Sequence, residues 1–167
     1  MIAFKTLVFT VVAPGLLLVL IPFLLASSNV GRVSVETDSV RYLGWTLVLA
    51  GAATYFWCAF DFTFLGKGTP APNAPPKNLV SQGLYRFVRN PMYTGALFIL
   101  LGETLLFGSF LVLGYTVMRL LIWHRFVVLY EEPKLRARFG ESYERYCRSV
   151  PRWLPRLNRG QSMIAGG

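Results

Sequence analysis

The chain has 167 residues, 54% of them hydrophobic and only 15% charged, with a mean hydropathy of +0.47. A soluble domain carries about 25% charged residues, so this one has too little charge to cover a water-exposed surface and reads as a single small integral membrane domain. The net charge is +9, but basic residues flanking apolar spans form the positive-inside pattern, which suits anionic membrane lipids and argues against nucleic acid as a partner.

Four apolar spans follow in chain order. Leu7 to Leu25 carries no charge and is long enough for about 28 Å of helix. Pro14 and Pro22 are expected to bend it, because membrane helices tolerate such breakers when neighbours satisfy the freed backbone. A cleaved signal sequence competes, with Lys5 before the run and Ala26-Ser27-Ser28 after it, but the run is longer than the usual signal core. Tyr42 to Phe60 is the second span, reaching Leu65 with Asp61 near its end; its Tyr55, Trp57, Phe60, Phe62 and Phe64 are read as packing or interface residues. Met92 to Phe107 and Phe110 to Leu129 are the third and fourth, joined through Phe107-Gly108-Ser109, a connection that allows only a tight helical hairpin. The segment Gly66 to Pro76 is too rich in Pro and Gly for a helix and is expected to be an extended loop, either a plain connector or a lid.

Beyond the spans, Leu135, Phe139, Tyr143 and Tyr146 recur at helical spacing among charges. The pattern predicts an amphipathic helix over Pro133 to Arg148 lying along the membrane surface. Arg152-Trp153-Leu154-Pro155-Arg156 reads as an interfacial anchor. The expected fold is thus all-α, an integral membrane bundle of about four transmembrane helices plus a C-terminal amphipathic helix. Its parts are residues 1–65 with two transmembrane helices, a loop over 66–82, a core over 83–159 and a disordered tail over 160–167. Residues 26–42 balance Arg32 and Arg41 against Glu36 and Asp38. The 65–91 segment carries Lys67, Lys77, Arg86 and Arg89 without an acid, and the C-terminal tail is also basic. Four spans with both basic segments inside place both termini, and any site beside them, on the cytoplasmic face.

The polar residues concentrate at the two ends of the last hairpin. Gly83-Leu84-Tyr85-Arg86-Phe87-Val88-Arg89-Asn90-Pro91-Met92-Tyr93-Thr94-Gly95 precedes it, and Tyr130-Glu131-Glu132-Pro133 follows it. Pro91 lacks a backbone donor and biases Asn90 away from helix, which marks the start of the third span. Gly95, one turn in, permits close approach of a helix or a ligand. The hairpin brings arginines and a carboxylate pair together at one membrane face. By residue type alone this is either an ion-paired clasp or a ligand site. Cys58 and Cys147 are not paired by spacing, and neither a disulfide framework nor a cysteine metal site is expected.

The region from Lys77 to Arg152 resembles the core of the isoprenylcysteine carboxyl methyltransferase and phospholipid methyltransferase families, integral membrane enzymes that use S-adenosylmethionine. The matching blocks are Leu79-Val80, Gly83-Leu84-Tyr85, Arg89 to Gly95, Glu131-Glu132, Phe139-Gly140, Tyr143 and Val150-Pro151. The resemblance implies a methyltransferase acting on a lipophilic or lipid acceptor. It further implies a cofactor pocket formed by Leu79, Val80, Tyr85, Arg89, Asn90, Pro91, Met92 and Glu131, with Tyr93, Gly95 and Glu132 as supports or further contacts. Carboxylates suit ribose hydroxyls and an amino group, arginine suits a carboxylate, and aromatic faces suit adenine and a sulfonium. Methyl transfer to an acceptor requires positioning and desolvation and no metal.

Two positions depart from the family pattern. Asn90 stands where the family has a histidine, and asparagine does not titrate near neutrality. Val127 stands where the isoprenylcysteine branch has a substrate-binding arginine, with Arg125 two residues earlier as a stand-in. His124, the one histidine, is a candidate general base or an interfacial hydrogen-bonding residue. Glu103 and Arg119 lie inside apolar spans, where charge is expensive and often functional. Their levels make them poor neighbours, and Arg119 is left to face a polar cavity, to pair with Asp61 or to snorkel. Two other functions stay open: a membrane reductase of the sterol-reductase type using a nicotinamide cofactor, and a non-catalytic membrane protein that keeps the clasp.

Overall fold

The computed structural model describes residues 12, 14–28, 30–33, 37–64 and 79–155, with backbone alone at 62 and 63. The 66–76 loop, the 160–167 tail and Arg156 of the anchor therefore lie outside the described residues, apart from residues 79–82 of the expected loop region. Helix α1 (Gly15–Ser27) opens as a π-helix over Gly15–Leu20 and continues through Pro22. It is followed by α2 (Asp38–Phe64), a 3-10 turn at Gly83–Arg86, α3 (Pro91–Phe107), α4 (Phe110–Phe139) and α5 (Glu141–Ser149). Among the described residues there is no strand, only an isolated bridge between Arg32 and Ser109.

Asp38–Asp61 of α2 and the whole of α4 are long and apolar enough to cross a membrane. Helix α3, with 17 residues, and the described part of α1 are apolar but shorter, so two of the four expected spans meet the length by themselves. Only 28% and 22% of the most apolar windows of α2 and α4 are buried, whereas the core helix of a soluble protein is mostly buried. Their outward faces carry Trp45, Leu49, Phe56, Phe60, Phe110, Val117, Leu121 and Leu129 in the open. Such apolar surface suits lipid, and the all-helical architecture with two helices of membrane-crossing length fits a membrane helical bundle.

Helices α2 and α3 pair antiparallel at backbone contact. Gly51 faces Gly95 and Gly44 faces Gly102, two glycines per helix spaced seven residues apart. A Cβ on Gly51 would lie 2.5 Å from the Gly95 carbonyl oxygen, and one on Gly102 would lie 2.6 Å from that of Gly44. Between lipid-solvated helices the association rests on such close contact, since tails solvate leucine as well as another helix does. The hairpin between α3 and α4 turns at Gly108, left-handed at φ 56, and Ser109 caps α4 by accepting from the Val112 N–H at 3.4 Å. Tyr115 ties α4 to α1 by donating to the Leu17 carbonyl at 2.9 Å. The core at this crossing is Leu18, Tyr55, Ala96, Leu100, Tyr115 and Trp123.

The C-terminal segment differs from the expected single surface helix over 133–148. Helix α4 does not end at the glutamates. It passes through a π-helical turn at Val127–Glu131 and continues to Phe139. Gly140, at φ 50 and ψ −128, then breaks the helix, because this positive-φ backbone is open to glycine and cannot continue a right-handed helix. Helix α5 buries Tyr143 and Tyr146, which with Val150 pack against Leu79, Leu135 and Phe139.

Gly51→Ala is expected to destabilise the bundle by about 1–3 kcal/mol through overpacking, lowering the thermal unfolding midpoint in detergent. Gly114, with nothing within 4 Å of its added Cβ, is the matched control, and Gly114→Ala should leave the midpoint unchanged or raised. Equal responses would remove the glycine contact as the basis of the pairing.

Candidate functional site

The site forms where the start of α3, the end of α4 and the extended segment after α5 meet. Pro91 occupies the first turn of α3, where no backbone donor is needed. Asn90 before it is nonhelical, at φ −126 and ψ 52, and its side chain does not cap the helix. Instead its Nδ2 donates to the Arg152 carbonyl at 3.1 Å, while the Arg89 N–H donates to the Pro151 carbonyl at 2.9 Å. The tail thus crosses the start of α3 through backbone bonds that Val150-Pro151-Arg152 supplies.

Glu132 is 3% exposed and surrounded by arginines. Arg152 donates to it from Nε at 2.6 Å and from Nη2 at 3.1 Å, Arg89 Nη1 lies at 3.2 Å, and Arg136 Nη2 at 3.8 Å. Arg89 Nη1 also contacts the Cys147 sulfur at 2.8 Å. A buried carboxylate is tolerable only with such paired, charge-assisted bonds. The hydrogen bond to Glu132 holds the Arg152 guanidinium protonated more firmly still, and burial pushes the nearby Tyr143 phenol upward so that it stays neutral.

Glu131 is the adjacent residue, yet it belongs to a different environment. Its Oε2 accepts from the Tyr93 hydroxyl at 3.2 Å. The Tyr93 ring lies 5.5 Å from that of Trp123 and 6.4 Å from that of Trp153. Trp153 donates its indole N–H to His124 Nδ1 at 3.1 Å. Beside this aromatic wall, Val80 and Tyr85 pack with Cys58, Leu84 and Met92. The Tyr85 phenol, pushed well above its ordinary range by burial, is bonded to the Cys58 thiol, and its carbonyl accepts from Tyr146 at 2.6 Å. Successive helical residues point about 100° apart, and the π turn that ends at Glu131 resets the register between α4 and the clasp. Single π turns recur at functional positions in helices.

Not every residue expected at the site shares this environment. Leu79 packs instead with the tail cluster of Tyr143, Tyr146 and Val150. Gly95 faces Gly51 and Thr54 of α2, so its close approach is to a helix. Glu132 is taken up by the clasp. Arg125 is exposed and forms no ion pair with the described residues, and His124 already accepts from Trp153 at Nδ1. Arg119 does not pair with Asp61, a pairing the sequence had left open. It lies over the Trp123 ring at 4.6 Å, and Asp61 accepts from Trp57 instead. Glu103 and Arg119 form no ion pair either, as their levels along the hairpin foretell.

Other contributors were not expected from the sequence. Arg152 appeared as a lipid anchor, yet it is the principal partner of Glu132; its place two residues after Val150, inside the spaced signature, was the available signal. Cys58 was given no role at the site and is a partner of Tyr85. Trp123 and Trp153 carried no signal beyond their residue type. Chemically, the arrangement offers one carboxylate outside the clasp, an Arg89 Nε buried without a hydrogen-bond partner, and aromatic faces.

Glu132→Gln removes the charge opposite Arg89 and Arg152, and breaking a buried pair costs about 3–5 kcal/mol. Unfolding in detergent should shift accordingly, and limited trypsin digestion should now cut after Arg148 and Arg152. An unchanged midpoint with a resistant tail would contradict the clasp.

A profile of the phospholipid methyltransferases matches residues 39–142, more than half the chain. The chain is 37% identical over 79 residues to the protein-S-isoprenylcysteine O-methyltransferase of Schizosaccharomyces pombe, covering 46% of this chain and 33% of that protein. It is 31% identical over 83 residues to protein-S-isoprenylcysteine O-methyltransferase B of Arabidopsis thaliana, covering 48% and 41%. An uncharacterised protein of Haemophilus influenzae is 38% identical over 63 residues, 38% of this chain and 100% of that protein. The matches span about a third to two fifths of the two named methyltransferases. The profile match covers α2, the hairpin and the clasp glutamate together, and the chain belongs to the phospholipid methyltransferase family.

Proposed function

We propose that the protein is an S-adenosylmethionine-dependent methyltransferase of the membrane that methylates a lipophilic or lipid acceptor. The observation that carries this reading is the division between two adjacent glutamates. Glu132 is neutralised by three arginines, while Glu131 stands outside the clasp with a single tyrosine donor. A structural clasp needs only the first.

The residues present fit the cofactor. Glu131 can accept from ribose hydroxyls or an ammonium group, and the buried, unpartnered Nε of Arg89 can donate to a carboxylate. Tyr93, Trp123 and Trp153 provide faces that favour a cation and an adenine ring. When bound, S-adenosylmethionine supplies a methyl group activated by its sulfonium. The chain's own part is to hold both reactants in line and to keep water out. Tyr93 orients Glu131, and the clasp keeps Arg89 and Asn90 against the tail. His124 serves as a proton acceptor at Nδ1 only if Trp153 withdraws.

The names of the relatives suggest a prenylated cysteine or a phospholipid as acceptor, and the family shared with them supports a lipid-soluble molecule reaching the site from the bilayer. The basic segments support a site and both termini at the cytoplasmic face, and a tag at Gly167 should be inaccessible from outside intact cells.

Purified protein in detergent should be stabilised against heat by S-adenosylhomocysteine and not by NADPH, since a ligand that binds only the folded state raises its midpoint. Membrane extracts supplemented with radiolabelled methyl donor should yield a labelled, organic-soluble product. Stabilisation by NADPH alone would favour a reductase, and by neither compound a non-catalytic role.

A further inference from the structure

We propose that Arg119 anchors an anionic group of the acceptor, which makes it the residue that selects anionic amphiphiles for the site. The inference rests on the methyltransferase reading above and names the acceptor chemistry it uses.

Arg119 lies in the apolar part of α4, a position where a permanently charged guanidinium needs a partner. No carboxylate among the described residues forms an ion pair with it. Asp61 is bonded to Trp57, Glu131 to Tyr93, and Glu132 to the clasp arginines; Glu103 keeps an oxygen without a partner. The Arg119 Nε is buried and makes no hydrogen bond. The charge has therefore been placed in the bundle without a counterion on the described chain.

Its position relates it to the site. The guanidinium lies 4.6 Å over the Trp123 ring, and that ring lies 5.5 Å from Tyr93, whose hydroxyl donates to Glu131. The guanidinium sits over the indole ring, and its Nε is left without a hydrogen-bond partner. A planar fork of N–H donors matches a carboxylate or a phosphate, and the exposed Val117, Met118, Leu121 and Ile122 on the same helix suit an alkyl chain. Val127, at the family's arginine position, carries no charge, and Arg119 lies earlier on the same helix, about 12 Å along its axis.

The test uses the purified full chain in neutral detergent, with thermal stabilisation by dodecanoate, dodecyl phosphate and dodecanol measured as a function of concentration, beside the response to S-adenosylhomocysteine. The wild type should respond to at least one anionic probe at concentrations at least tenfold below dodecanol, and the preferred anion identifies carboxylate or phosphate as the group. Arg119→Gln should abolish that preference while keeping the response to S-adenosylhomocysteine, Arg119→Lys should retain part of it, and Arg148→Gln should retain all of it. A structural stack on Trp123 would not alter preference between head groups. Equal wild-type responses to anion and alcohol, or a preference that survives Arg119→Gln or falls equally with Arg148→Gln, overturn the inference alone. If Arg119→Gln does not fold, the wild-type comparison and Arg119→Lys decide: an anion preference that Lys leaves undiminished overturns it. Absence of any wild-type response to S-adenosylhomocysteine overturns the methyltransferase reading and this inference with it.

Discussion

The buried carboxylate of Glu132 is the interaction on which the site depends. It joins Arg89, Arg136 and Arg152, three positions on the start of α3, the last turns of α4 and the tail beyond α5. Because the tail is held at Arg152, its backbone can take the Asn90 amide and the Arg89 N–H. Trp153 then reaches both His124 and Tyr93. Unpaired, the same carboxylate would be among the most destabilising groups in the chain.

Two glutamates in succession look redundant, but a helix directs neighbours about 100° apart. The π turn over Val127–Glu131 places the change of register at the point where one carboxylate must leave the clasp. Clasp and ligand site were alternative readings of the same residues. In the structure the two glutamates have different partners: Glu132 takes the clasp arginines, and Glu131 takes the Tyr93 hydroxyl. The glycine contacts between α2 and α3 bring Tyr55 and Cys58 of α2 up to the same region, since a wider helix separation would withdraw them from Tyr85 and Met92.

The tight turn at Gly108, the start of α3 at Pro91 and the convergence of the arginines with the glutamates were legible in the sequence, because each depends on local chemistry: a connection too short for anything but a turn, a missing donor, opposite charges at matched levels. The break at Gly140 was not, since Leu135, Phe139, Tyr143 and Tyr146 keep helical spacing across it and a single glycine does not announce its sign of φ. The glycine faces of α2 and α3 were hidden for a different reason. Helices solvated by lipid are apolar all round, so no stripe marks the packed side. Gly95 was legible as a point of close approach but not as to what approaches. Arg152 stood within the spaced signature but was read as an interfacial anchor, because its bond to a glutamate twenty residues away is set by the tertiary fold and not by local spacing.

In the proposed function Glu131 binds ligand while Glu132 holds the fold. Calorimetric titration of S-adenosylhomocysteine into detergent-solubilised Glu131→Gln tests it most directly. Affinity should fall at least tenfold relative to the wild type, with an unchanged unfolding midpoint in the absence of ligand. Wild-type affinity in Glu131→Gln would contradict it.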